Sequence, residues 1–266
     1  MLFLSFRNWK VYVHTFNGDI LNSMFSRFKK IYRRSLAGVM LFTAETLLTV
    51  FLFLCSLIAF LAVAKYIFLD EKEGFDQAAF NFFEPFIRES VTNVMLFLSV
   101  IGNYQVMITA NLLLISYFLF IRKHKWYSIK IPAISLGSLM LMFLLKTMFN
   151  RPRPLMPLLE PARGLSFPSG HSMMSVTFFG LIIYFINRKE LNPTIKTIAI
   201  SLLVVFILAI GISRVYLRVH YASDVIAGFC MGVIWLTIAI HVLNRIELYS
   251  KKQINHVVES DANIVK

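Results

Sequence analysis

Apolar residues run through this chain in long blocks, separated by short polar stretches that are mostly basic. The blocks lie at about 41–68, 104–121, 131–149, 172–186, 195–212 and 222–243. A helix that crosses a bilayer needs about 20 predominantly apolar residues, and these blocks are of that order. The pattern predicts an all-α, polytopic membrane helix bundle of about six transmembrane helices. Between the first two blocks, Asp70, Glu71, Lys72, Glu73 and Asp76 form a polar loop. Phe75, Ala79, Phe82, Phe83 and Phe86 then recur at spacings of three and four. That stripe predicts an interfacial amphipathic helix over 75–90, with Pro85 as a break. Three segments result: a basic cytoplasmic N-terminal segment at 1–36, a single transmembrane domain at 37–250, and a cytoplasmic tail at 251–266. The polar chain after Arg245 is expected to fray.

Composition agrees with the blocks. The 266 residues are 58% hydrophobic, against about 45–50% in ordinary soluble domains. The mean hydropathy is +0.69. Met1 to Phe6 is apolar without a preceding basic residue, so no cleavable signal is expected and the first block acts as an uncleaved anchor. Cys55 and Cys230 sit inside apolar blocks and carry no disulfide or metal-binding spacing.

The net charge of +13 would suggest nucleic acid on a soluble protein. Here the basic residues cluster between apolar blocks, so no nucleic-acid partner is expected. With the N-terminus inside and the spans alternating, 18 of the 27 Lys and Arg residues fall on the cytoplasmic side. The other nine include two dense patches, Lys146, Arg151, Arg153 and Arg163 in one and Arg214 and Arg218 in the other. Cations clustered on the disfavoured side call for a reason other than topology.

Three polar segments share that outer side. One runs from Lys146 through Arg153 to Pro154, the second is Pro168-Ser169-Gly170-His171, and the third runs from Ser213 and Arg214 through His220 to Asp224. Lys146 ends a membrane helix, where a charge is costly unless paired or used. Arg153 lies between prolines that force extended geometry. With Arg214, these cations suit a dianionic phosphate. Ser169 and Gly170 open a helix near His171, where free N–H groups bind anions and glycine permits close approach. The four-residue spacing of His220 and Asp224 predicts a shared helix face, with the carboxylate fixing the imidazole tautomer. Taken singly, the pieces are weaker: a histidine at a helix end is usually a surface or capping residue, and an Arg-Pro-Arg-Pro loop is more often a rigid connector. Together they point to phosphate chemistry.

The three segments resemble the tripartite signature of the type 2 phosphatidic acid phosphatase superfamily. That signature is K-x6-R-P, then P-S-G-H, then S-R-x5-H-x3-D, and every position is present over residues 146–224. The resemblance implies His220 as nucleophile, Asp224 as its orienting partner and His171 as general acid. It also implies Lys146, Arg153, Ser169, Gly170 and Arg214 as the phosphate-binding set, with no metal and no cofactor. Arg151, Arg163 and Arg218 lie outside the signature and are candidate head-group contacts.

The expected activity is hydrolysis of a phosphate monoester or diphosphate on a lipid, within the bilayer and at the outer face. Candidates are an undecaprenyl diphosphate, phosphatidylglycerol phosphate, phosphatidic acid or a lipid A phosphate. The expected location is a bacterial cytoplasmic membrane, with the site facing the periplasm or exterior. Three alternatives stand beside this reading. They are a lipid phosphotransferase on the same phosphohistidine chemistry, a vanadate-dependent haloperoxidase, and a non-catalytic lipid-binding protein or transporter.

Overall fold

A computed structural model of the chain describes residues 46–158 and 163–264, with side chains described as far as Gln253. The basic segment at 1–36, the start of the first apolar block and the last two residues lie outside the described residues. The chain divides into two compact units, Met1–Phe51 and Leu52–Lys266. In the first, residues 46–51 are helical. The second holds the site.

Among the described residues, six helices are long and apolar enough to span a bilayer: α1 (Thr46–Phe68), α4 with a closing π turn (Tyr104–Ile121), α5 (Lys125–Phe149), α6 (Gly170–Asn187), α7 (Pro193–Tyr216) and α8, which spans over Ala222–Gln253. The described residues contain no strand. The protein is an all-α integral membrane bundle.

Between α1 and α4 the sequence predicts one helix, and the structure has two, α2 (Gly74–Phe83) and α3 (Glu89–Ile101). Pro85 sits in a 3-10 turn at Glu84–Phe86, and Arg88 is extended, so the chain stops and restarts. The 13 residues of α3 reach about 20 Å, short of the roughly 30 Å hydrocarbon core. Helix α5 starts at Lys125, earlier than the apolar block suggests, and contains Pro132. Lys130, expected in a basic loop, is therefore buried inside α5. It bonds Asn244 Oδ1 and Glu247 Oε2, both at 2.6 Å. Helix α8 continues to Ile264 instead of fraying after Arg245. Glu247 ties it to Lys130 and accepts from Lys251 one turn later, also at 2.6 Å.

Helix α6 is the hub. Half of its span is buried inside the protein, against 11% for α7. Its largest interface is with α8. Lipid tails are as apolar as leucine, so helices here associate through close backbone packing and small residues. Gly228 and Gly232 supply this as a glycine pair four apart on α8. A Cβ at Gly228 would lie 2.6 Å from the Ser169 carbonyl oxygen, and one at Gly232 would lie 2.7 Å from Val176 Cβ. Polar ties add to the packing. Ser138 Oγ meets Thr177 Oγ1 at 2.9 Å, and Trp235 Nε1 donates to the Ile134 carbonyl at 2.8 Å. Such bonds contribute about 0.6 kcal/mol each in a membrane.

Gly228→Val forces α8 away from backbone atoms that cannot yield. Overpacking of this kind costs about 1–3 kcal/mol. The midpoint of thermal unfolding in detergent is expected to fall by several degrees, and an unchanged midpoint would refute the close α6–α8 contact.

Candidate active site

The end of α5 is where the site begins. Asn150 adopts a left-handed conformation (φ 45°) and donates its N–H to the Lys146 carbonyl, ending the helix. Asparagine tolerates this conformation better than most residues. The chain then leaves the helix through Arg151 and Arg153. It is held to the return segment, where Ser166 N–H donates to the Arg151 carbonyl at 2.8 Å. Phe167 anchors the return by packing its ring among Phe60, Phe68 and Phe149.

Helix α6 then starts with Ser169 as its cap. Ser169 Oγ accepts from Ser172 N at 3.4 Å and from Ser172 Oγ at 3.0 Å. Ser169 N–H donates to the Asp224 carbonyl at 3.0 Å, which fixes the start of α6 against the start of α8. The sequence suggests that Gly170 clears room for an anion. Packing also requires it, because a Cβ there would lie 2.5 Å from Met142 Sδ. His171 follows in the first turn of α6. It is backed by Gly102, where a Cβ would stand 3.0 Å from the imidazole Cδ2.

The link from α7 to α8 folds back on itself. Arg218 takes a left-handed conformation (φ 54°), and the Arg214 carbonyl accepts from both Val219 N–H at 3.2 Å and His220 N–H at 3.3 Å. His220 is thereby laid beside the last turn of α7. The expected shared helix face does not form, since α8 begins at Ala222, after His220. The pair meets instead across the helix start. Asp224 accepts the Tyr221 N–H at 3.0 Å, as the third residue of a helix reaches back to its cap, and its Oδ2 lies 3.5 Å from His220 Nδ1.

The hydrogen bonds of His220 define its tautomer. Arg153 Nη1 lies 3.2 Å from Nε2. A guanidinium only donates, so Nε2 carries the lone pair and Nδ1 the proton. Nδ1 then faces Asp224 and Ser166 Oγ, the latter at 3.3 Å. Ser166 Oγ donates to Asp224 Oδ2 in a short bond. Burial pushes the His220 imidazole down to about 3. The bond to Asp224 opposes this, and the nearby positive charges of Arg153 and Arg214 add to it. The imidazole is neutral throughout the physiological range.

Three cations, Lys146, Arg153 and Arg214, gather near His171 and His220, and none has an ion-pair partner among the described residues. Lys146 Nζ donates to the Leu165 carbonyl at 2.6 Å. Arg153 donates to the carbonyls of Gly164 at 3.1 Å and Val219 at 2.8 Å, and burial lowers its pKa. Arg214, only 8% exposed, donates Nη1 to Ser99 Oγ in a short bond, while its buried Nε has no partner among the described residues. The fields of all three reach His171. Arg163 is exposed, and Arg218 is half-buried with its guanidinium 5.9 Å from the Phe80 ring centroid. Arg151 differs from the head-group contact suggested by sequence. It is buried, and both terminal nitrogens bond carboxylates, Asp224 at 2.7 Å and Asp76 at 2.9 Å. Among the described residues, no three His, Cys, Asp or Glu side chains group as a metal site.

Asp76, Ser99, Ser166 and Ser223 are the site's neighbours that the sequence reading missed. Asp76 lies 75 residues before Arg151 and reads as part of a polar loop. Ser166 stands two residues before Pro168, just outside the motif.

Comparison with known proteins places the chain beside membrane phosphatases. The PAP2 superfamily model matches residues 128–247, which contain the whole three-part motif. Over 185 residues the chain is 29% identical to phosphatidylglycerophosphatase B of Bacillus subtilis (strain 168), covering 69% of this chain and 88% of that protein. The crystal structure of a transmembrane PAP2-type phosphatidylglycerolphosphate phosphatase from Bacillus subtilis superposes with a TM-score of 0.62 at 26% identity. It covers 74% of this chain and 96% of that one. Aquifex aeolicus LpxE aligns at 27% identity over 61% of this chain and 92% of its own, with a TM-score of 0.48. Fold and site define the class, an integral-membrane phosphatase acting on lipid phosphates. Residues 128–247 match the PAP2 superfamily, and the chain is similar to membrane phosphatases of that family.

The depressed His220 pKa has a consequence for stability. Its folded value lies below the ordinary 6.5, so the unfolded chain takes up the proton first as pH falls. The stability that comes from the neutral imidazole is complete above 6.5 and is lost progressively from there toward 3. Acidification across that window should lower the unfolding midpoint in detergent, and His220→Gln should flatten the decline. An equally steep decline in the variant would show that His220 is not the group responsible.

Proposed function

We propose that this protein hydrolyses a phosphate monoester or diphosphate on a lipid through a phosphohistidine at His220, without a metal ion. The observation that carries the reading is Arg153 against His220 Nε2, which leaves the lone pair on the nitrogen that faces the uncompensated cations. Lys146, Arg153 and Arg214 bind the phosphate oxygens, with Arg153 exchanging its contact on Nε2 for the phosphate. Ser169 and the N–H groups at Gly170 complete the cradle. The buried Arg214 Nε supports this, because a guanidinium left partly unpaired in the interior is suited to an anion.

In the reaction, the Nε2 lone pair attacks phosphorus and the bond to the lipid oxygen breaks. His171 protonates the departing oxygen. Asp224 holds the Nδ1 proton and stabilises the positive imidazolium. His171, now neutral, takes a proton from water, which attacks phosphorus and releases inorganic phosphate and free His220. The three cations bear the charge that develops on the equatorial oxygens, in a low-dielectric site where such contacts are strong.

The positive-inside distribution supports a site facing the periplasm or exterior of a bacterial cytoplasmic membrane. The likeness to phosphatidylglycerophosphatase B makes phosphatidylglycerol phosphate the first substrate to test. Phosphatidic acid, undecaprenyl diphosphate and lipid A phosphate follow. Arg163 and Arg218 are the cations best placed for a head group.

Phosphate release from these four lipids in detergent tests the reading. His220→Ala is expected to lower kcat by about a thousandfold or more. EDTA is expected to leave the wild-type rate unchanged. Wild-type turnover by His220→Ala would overturn the nucleophile, and an EDTA loss restored by Mg²⁺ would overturn the metal-free scheme.

A further inference from the structure

Arg151 could form a two-pronged pair with Asp224. The planar fork of an arginine matches both oxygens of a carboxylate, and buried pairs favour that arrangement. Here it does not happen. Arg151 reaches Asp224 through Nη1 alone, at Oδ1 and 2.7 Å, while Nη2 is taken by Asp76 Oδ2 at 2.9 Å. Asp224 Oδ2 is left for the Tyr221 N–H, for Ser166 Oγ and for His220.

Asp76 also holds the helix start that carries Asp224. Its Oδ1 accepts the Ser223 N–H at 2.8 Å and its Oδ2 accepts from Ser223 Oγ at 2.6 Å. The Ser223 N–H is one of the free donors at the N-terminus of α8, so Asp76 caps α8 from α2 across 147 residues of sequence. Ser223 Oγ in turn accepts from Arg151 Nη1 at 2.8 Å. The Arg151 guanidinium stacks 4.0 Å from the Tyr221 ring centroid, which holds the fork in its plane. Burial works against the charge on Arg151, but Asp224 and Asp76 outweigh it and raise its pKa. All these donors and acceptors are matched.

From this geometry we infer that Asp76 and Arg151 are positioning residues for the reaction: Asp76 occupies one arm of the Arg151 fork and so keeps Asp224 Oδ2 directed at His220. Neither residue touches the phosphate. The assignment rests on the proposed roles of His220 and Asp224. It gives α2, outside the signature, a part in chemistry.

Removing Asp76 frees the second arm of the fork to close on Asp224 and draw it from the imidazole. A displacement of about 1 Å in a catalytic group can cost about a hundredfold in rate. With short-chain phosphatidic acid in detergent as the probe, Asp76→Asn is expected to lower kcat by about ten- to a hundredfold and to leave KM within about twofold. Asp70→Asn, which removes an exposed carboxylate of the same region, keeps the wild-type kcat.

In the double variant Asp76→Asn with Arg151→Gln there is no fork to misdirect, so its kcat should match that of Arg151→Gln alone. Losses that simply multiply would overturn the proposal. So would wild-type kcat in Asp76→Asn, or a loss confined to KM. If melting shows that Asp76→Asn does not fold, Arg151→Lys decides, because it keeps the charge without the fork. A reduced kcat at unchanged KM supports the proposal, and a wild-type kcat overturns it. Wild-type activity in His220→Ala would sink the underlying reading. An inactive His220→Ala beside a normal Asp76→Asn would sink only this inference.

Discussion

Burying positive charge without an acid to balance it is costly, and this protein does so at one end of its bundle. Arg214 and Arg153 sit against His220, with Lys146 nearby, and none of the three forms an ion pair among the described residues. The local carboxylates, Asp76 and Asp224, are occupied by Arg151. That division separates two kinds of arginine in one short segment. Arg151 is internal wiring, and Arg153, two residues later, is held by backbone carbonyls that orient it without neutralising it. In the proposed reaction, a substrate phosphate supplies the missing negative charge.

The rest of the fold maintains this imbalance. The Gly228–Gly232 pair brings α8 against α6, so that the Ser169 N–H meets the Asp224 carbonyl. The turn through Arg218 folds His220 back onto the end of α7. Phe167 locks the segment that carries Ser166 and Ser169. The glycine pair and Phe167 join elements far apart in sequence, while the Arg218 turn closes one short link. The charged groups are therefore positioned before a substrate arrives, which limits the reorganisation needed when charge develops.

Much of this was legible in the sequence. The second span matches its apolar block, Tyr104–Ile121. Others run longer, since helices continue past their apolar stretch where polar side chains find partners, as Lys130 and Glu247 do. The three motifs meet as their shared side of the membrane implied. Periodicity misled at His220, where a four-residue spacing was read as a helix face but spans a helix start. Asp76 was invisible because its partners lie 75 and 147 residues away, and no local pattern encodes that pairing. The glycine pair on α8 was there to be read as a packing signal.

The most direct test is chemical capture of the intermediate. The enzyme is quenched during turnover of a lipid carrying a radiolabelled terminal phosphate, and the labelled peptide is sequenced by mass spectrometry. The account predicts label on Nε2 of His220, stable in alkali and lost in acid, and none in His220→Ala. Label on another residue would contradict it, as would turnover that continues in His220→Ala.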